Sequence, residues 1–256
     1  WVATRDYLAC QEVQDDIVLT YQDDFPKYRK RVDPTLFRLT LQSVALQIGR
    51  KFVYSQVGGG YSVHEVKKAL EMLILAGIIT PVIHTNANGL PLGSEVDPTY
   101  RKMLLLDSGL LLRWLNMSGD TSELTAQILT NSATDLVNKG ALTEMIAGLE
   151  LLRYRTPNMR HELFYWVRKA KNAQAEVDYL ATYQSEVLPI EVKAGTQGGM
   201  KSLWQFMREK KLKNAIRASL ENFDVFTYTD TEEEAIRTVW VCPLFALSQI
   251  NKVIVD

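Results

Sequence analysis

Two alternating segments joined by a short polar turn constrain this chain more than any other feature. AEVDYLAT (175–182) and VLPIEVK (187–193) flank Tyr183-Gln184-Ser185-Glu186. Alternation of apolar and polar residues marks strands, and the turn makes them a hairpin. A symmetric hairpin closed at that turn sets Asp178 directly opposite Glu191. Lys193 falls on the same face as Glu191, because side chains alternate along a strand. Leu180 shares Asp178's face and predicts at least partial cover over it. Like charges directly opposed in a sheet are unfavourable, and burying them without a cation costs more still. A divalent metal resolves the conflict. Two carboxylates with a backbone carbonyl suit Mg²⁺ or Mn²⁺, which prefer oxygen ligands and keep several waters. A lysine beside them can position a water and stabilise developing negative charge. The plainer alternative is a solvated, charged hairpin face.

Upstream, residues 135–152 read as a helix with Leu136, Ala141, Leu142, Met145, Ile146 and Leu149 on a broad apolar side. Glu144 has Gly140, Ala141, Ala147 and Gly148 as its helical neighbours. Four small residues let another backbone approach this carboxylate. They equally suit plain helix-on-sheet packing with Glu144 at the edge, and both readings stand. Residues 161–168 form a further strand candidate, with Phe164 and Trp166 on one face and Leu163, Tyr165 and Val167 on the other. The spacing D-x12-E-x-K of Asp178, Glu191 and Lys193 is the pattern written PD-(D/E)XK in restriction-endonuclease-like nucleases. On this reading Asp178 and Glu191 hold the metal, while Glu144 and Lys193 are catalytic. The fold expected over 126–256 is an α/β (α+β) mixed sheet flanked by helices.

The first half carries clear punctuation. Asp33-Pro34 supplies an N-cap and a first-turn proline, and Gly49 the stop. Leu36, Leu39, Val44, Leu46 and Ile48 lie between them. A short helix over 54–57 is cut by Gly58-Gly59-Gly60. Ser62-Val63-His64-Glu65 is a capping box that opens a helix running to Ala76, with Gly77 at its C-terminal turn. A strand over 78–85, the Asn86-Ala87-Asn88-Gly89 turn, a loop with Pro91, Gly93 and Pro98, and a strand over 103–106 complete the order. This is the order of a winged helix-turn-helix. It would present His64, Lys67 and Lys68 to a duplex, or else serve only as a packing or dimer module. His64 has no second metal ligand at helical or hairpin spacing.

Composition bounds the rest. Over 256 residues, 29 Lys and Arg stand against 30 Asp and Glu, so any nucleic-acid site must be a local patch. Lys201, Arg208, Lys210, Lys211, Lys213 and Arg217 form such a stretch, with Trp204, Phe206 and Met207 interleaved. A helix there could pack its aromatics on the sheet and show Lys201, Lys210 and Lys211 to a phosphate backbone. Two cysteines, Cys10 and Cys242, make neither a disulfide framework nor a zinc cluster, so a reducing cytoplasm is expected. No apolar run reaches the roughly 18 residues of a membrane span, and no membrane partner is expected. No phosphate-loop motif occurs. A polar stretch over 117–132 suggests a boundary near 125, dividing the chain into 1–125 and 126–256. The first residue, Trp1, suggests a piece of something longer.

The strings DLVNKGALTEMIAGLELL, AEVDYL and PIEVKAG followed by MKSLWQF resemble the C-terminal region of a family of prokaryotic AAA-type ATPases. KFVYSQV, VKKALEMLILAGIITPV, NGLPLG and KMLLLDSGLL resemble that family's linker and winged helix. The resemblance implies a winged helix and a restriction-endonuclease-like domain behind a nucleotide-hydrolysing domain that this chain lacks. ATP would bind only in that missing domain, which becomes a partner within the full-length chain, with DNA as a second partner. The nuclease motif falls on Glu144, Asp178, Glu191 and Lys193. Where the motif's name places a proline before the aspartate, Glu176-Val177 stand instead. Two functions follow: a Mg²⁺-dependent nuclease serving the motor, or a non-catalytic DNA- or protein-binding module that keeps the nuclease fold.

Overall fold

The computed structural model describes residues 3–115, 139–154, 162–169, 175–195, 199–231 and 233–254. The chain divides into two compact units, Trp1–Thr80 with Met103–Lys139, and Pro81–Lys102 with Gly140–Asp256. The polar connection over 117–132, the helix start before residue 139 and His161 lie outside the described residues.

The first unit is helical. Asp6 caps α1 (Tyr7–Asp24), its carboxylate accepting the Ala9 N–H at 3.0 Å. Asp33 caps α2 (Pro34–Leu46) through the Thr35 N–H at 2.8 Å. Pro34 occupies the first turn, where its missing N–H costs nothing. In front of α3 (Val63–Leu75), Ser62 and Glu65 form both bonds of the capping box. Gly77 leaves the helix at φ +75°, a conformation open to residues without a Cβ. The predicted stripe of Val66, Ala69, Leu70, Leu73 and Ile74 is buried, as are Leu36, Phe37, Leu41 and Val44 of α2. Each of these side chains larger than alanine contributes about 1.5–3 kcal/mol of burial. A fourth helix, α4 (Ser108–Trp114), sends Arg113 to Asp15 of α1 in a two-pronged pair of 2.7 and 2.6 Å.

The second unit is built on a mixed eight-stranded sheet, in the order β2-β1-β3-β4-β5-β6-β8-β7. The strands are β1 (Ile79–Thr85), β2 (Val96–Leu105), β3 (Leu163–Val167), β4 (Glu176–Tyr183), β5 (Glu186–Val192), β6 (Asn214–Ser219), β7 (Asp224–Asp230) and β8 (Ala235–Pro243). Three helices accompany them: α5 (Lys139–Leu151), α6 (Lys201–Glu209) and the short α7 (Ile250–Val253). β1 and β2 begin or end in the first unit, but their arm Pro81–Lys102 belongs to the second, where the sequence reading keeps all of 1–125 together. β1 pairs parallel with β3, matching Val82 with Leu163 and His84 with Tyr165.

The hairpin of β4 and β5 has the expected symmetric register, from Tyr183 opposite Glu186 to Tyr179 opposite Ile190. Gln184 and Ser185 both take positive φ, as a two-residue hairpin turn of matching twist requires. Two predicted elements differ. The second strand of the first hairpin starts at Val96, not Met103. β2 lies at the sheet edge, where Pro98 leaves no ladder bond unmade. The basic stretch is helical only to Glu209. Lys211 then takes φ +55°, Leu212 returns to the core, and Arg217 stands in β6.

Beneath the sheet, Leu203, Phe206 and Met207 of α6 are fully buried against Trp166, Val177, Leu180, Val187, Ala215 and Val239. Buried Arg237 ties this layer to β8. Its guanidinium donates to the carbonyls of Met207 (3.1 Å) and Leu212 (2.6 Å) and pairs with Asp230 and Glu233. No helix among the described residues is long and apolar enough to cross a membrane.

Candidate metal centre

A change of register in β4 builds the site. Phe164 of β3 faces Leu180, yet Trp166 faces Val177, so two residues of β4, Asp178 and Tyr179, stand against the single Tyr165. One extra residue on one strand is a bulge, and bulges re-aim side chains. Neighbours on a regular strand point to opposite faces. Here Tyr179 Oη donates to the Glu144 carbonyl of α5 at 2.8 Å, while the Asp178 carboxylate also meets Glu144. Val177 and Leu180, on either side of the pair, both join the α6 core.

Glu144, Glu176 and Asp178 each bring an oxygen within 4.8 Å of the others. Glu144 is buried, and Asp178 and Glu176 are half-buried. The ladder pairs of the hairpin end at Tyr179 opposite Ile190, one residue short of Asp178 and Glu191. There the Val192 N–H donates to Asp178 Oδ2 at 2.8 Å. Glu191 stands outside the trio. Its Oε1 accepts from Lys193 Nζ at 2.7 Å, and its buried Oε2 has no hydrogen-bond partner among the described residues. Asp178 thus joins Glu144 and Glu176, and its charge also acts on Glu191.

Two participants escaped the sequence reading. Glu176, two residues before Asp178, supplies the third carboxylate. Lys102, from β2, is 1% exposed and reaches Glu144 Oε1 at 2.7 Å and also pairs with Glu176. Its Nζ lies 5.0 Å from the centre of the Tyr165 ring, a cation–π distance. Alternation through Tyr100, Lys102 and Leu104 was the available signal, masked by the proline before it.

The electrostatics follow from burial. Burial opposes the Lys102 charge, but Glu144, Glu176 and Asp178 together outweigh it and raise its pKa. Burial pushes Glu144 up to about 8 against the pull of Lys102, with Asp178 adding to the rise. It also raises Asp178, opposed by Lys102 and the Val192 N–H. Glu191 is pushed up to about 7 by burial and then by Asp178, with Lys193 opposing. Burial thus favours the protonated forms of Glu144, Asp178 and Glu191, and a further cation would oppose it. Four carboxylates with no nitrogen or sulfur donor suit a hard divalent ion such as Mg²⁺ or Mn²⁺. The unpartnered Glu191 Oε2 is the kind of buried lone pair such an ion would satisfy.

The remaining predicted residues are not among the ligand-bearing side chains of this cluster. His64, Lys67 and Lys68 are exposed on α3, with Lys67 Nζ 5.4 Å from the Tyr54 ring centre. Lys201 is exposed at the start of α6 and Lys211 in the turn after it, while Lys210 donates to Asn88 Oδ1 at 2.6 Å. Arg208 and Arg217 are held by Asp230 and Glu221. The expected helical row of cations is therefore interrupted by strand β6 and by ion pairs.

The fold and site thus define an α+β protein with a buried cluster of acids and lysines. Residues 2–121 match a domain of unknown function, DUF8612, and residues 139–247 match another, DUF4143. No curated protein and no solved structure matches the chain.

Proposed function

We propose that the second unit is a Mg²⁺- or Mn²⁺-dependent nuclease of the PD-(D/E)XK kind, acting on DNA. The whole chain is then the C-terminal portion of a cytoplasmic AAA-type ATPase, with a winged helix-turn-helix in its first half and ATP bound only by a domain outside this chain. One observation carries the reading. Acidic side chains from a helix and a neighbouring strand converge, and one buried carboxylate oxygen beside Lys193 has no partner among the described residues. Asp178 and Glu191 are the residues that would hold the ion, with Glu144 and Glu176 beside them on Lys102. When bound, the ion polarises a phosphate oxygen and makes a water more acidic. Lys193, fixed on Glu191, orients a water and faces developing negative charge. Having no lone pair as an ammonium, it does not coordinate.

A second reading, a DNA- or protein-binding module without catalysis, is favoured by Lys102. Its ammonium already neutralises part of the cluster from within. Incubation with supercoiled plasmid and single-stranded DNA, with Mg²⁺ or Mn²⁺, separates the two. Cleavage that chelation stops and Lys193→Ala abolishes is expected of the nuclease. DNA held but left intact by the wild type points to the module.

A further inference from the structure

We propose that Lys102 fills the place of a second cation, so that the site takes one divalent ion and not two. This rests on the metal-dependent reading above. The charges divide accordingly. Among the described residues, Glu144, Glu176, Asp178 and Glu191 are paired with two ammonium groups, those of Lys102 and Lys193. One divalent ion balances the remainder, and a second would leave the site positive.

The geometry divides the site in the same way. At one end the Lys102 ammonium is bonded to Glu144 and Glu176 and rests against the Tyr165 ring. Of its three N–H donors, two serve the carboxylates. At 1% exposure it is shielded from water. A second ion here would displace a fully partnered charge. At the other end, Asp178 gives one oxygen to the Val192 N–H and Glu191 gives one to Lys193, which leaves the buried Glu191 Oε2 without a partner. The ion belongs at that end. Paired-ion sites hold their metals about 3.5–4 Å apart so that each activates or stabilises a different oxygen. An ammonium supplies half the charge of such an ion, and it has no ligand positions for a water. Lys102 is therefore a positioning residue, one that fixes Glu144 and Glu176.

Calorimetric titration of the whole chain with Mn²⁺, paired with electron paramagnetic resonance, tests this. The wild type should bind one Mn²⁺ and give the spectrum of an isolated ion. Lys102→Met should bind two, with a spin-coupled spectrum, and Lys102→Arg should return to one. Two coupled ions in the wild type, or one ion of unchanged affinity in Lys102→Met, would overturn the proposal. Should Lys102→Met fail to fold, the wild-type count and spectrum still decide. Absence of Mn²⁺ binding in wild type and variants alike removes the metal-dependent reading itself, whereas two ions in the wild type remove only this inference.

Discussion

Lys102 Nζ stands 2.7 Å from Glu144 Oε1, with the two side chains 1% and 11% exposed. Removing one partner of a buried ion pair leaves an uncompensated charge and costs about 3–5 kcal/mol. Lys102→Met should lower the metal-free unfolding free energy by that amount in urea titrations. Glu144→Gln in the same chain should return part of the loss, with a coupling of at least about 1 kcal/mol. Strictly additive losses would mean that the two groups do not depend on each other.

The raised carboxyls set a pH dependence. Burial holds Glu144 up to about 8 and Glu191 up to about 7. Such groups bind more protons folded than unfolded, so their contribution is whole below about 4.5 and drains as pH rises through the folded values. His84, lowered chiefly by burial, acts in the opposite sense below 6.5. Metal-free melts should therefore fall steadily from about pH 6.5 to about pH 8.5. Glu191→Gln should flatten the part of the fall near pH 7. Added Mn²⁺ should narrow the difference, because it binds the deprotonated groups. A melting temperature that climbs across this window refutes the assignment.

Arg237 offers a stability test away from the cluster. It is 2% exposed and serves Asp230, Glu233 and the carbonyls of Met207 and Leu212. Arg237→Met should cost about 3–5 kcal/mol in chemical denaturation, since buried acceptors lose their donor. Arg208→Met, at the more open end of Asp230, should cost about 1 kcal/mol or less. Equal losses would show that the buried position adds nothing.

For α3, the expectation concerns salt. If Lys67 and Lys68 meet a phosphate backbone, Lys67→Ala with Lys68→Ala weakens binding evenly across DNA sequences. It also lowers the slope of log affinity against log salt by about two. Fluorescence anisotropy over a salt series reads this directly. An unchanged slope assigns α3 to packing.

What the sequence made legible was local. The Ser62–Glu65 box and the Gln184-Ser185 turn act over a few residues, so α3 and the β4–β5 register could be read from their own strings. The bulge at Asp178 and Tyr179 could not, because it is defined against β3, and nothing within AEVDYLAT marks the extra residue. Glu176 looked like a lapse from a motif and is a member of the acidic trio. Lys102 followed Pro98, and a proline in an edge strand reads as loop. The cations after Glu209 appeared as one helical row because a glance along the string cannot see Leu212 turning inward.

The position of Lys102 bears on how such a chain can be dismantled or inherited. Lys102 lies within the span matched by one domain of unknown function, 2–121, and Glu144, Glu176 and Asp178 within that matched by the other, 139–247. A fragment begun at the second span would keep the acids and lose the ammonium that holds two of them. Exchange of the first segment between related chains would then carry an unseen electrostatic obligation, met only by a lysine, or an arginine, at the corresponding place in the incoming hairpin. The two spans are separate as sequence, but in this site each supplies part of one ion-paired cluster.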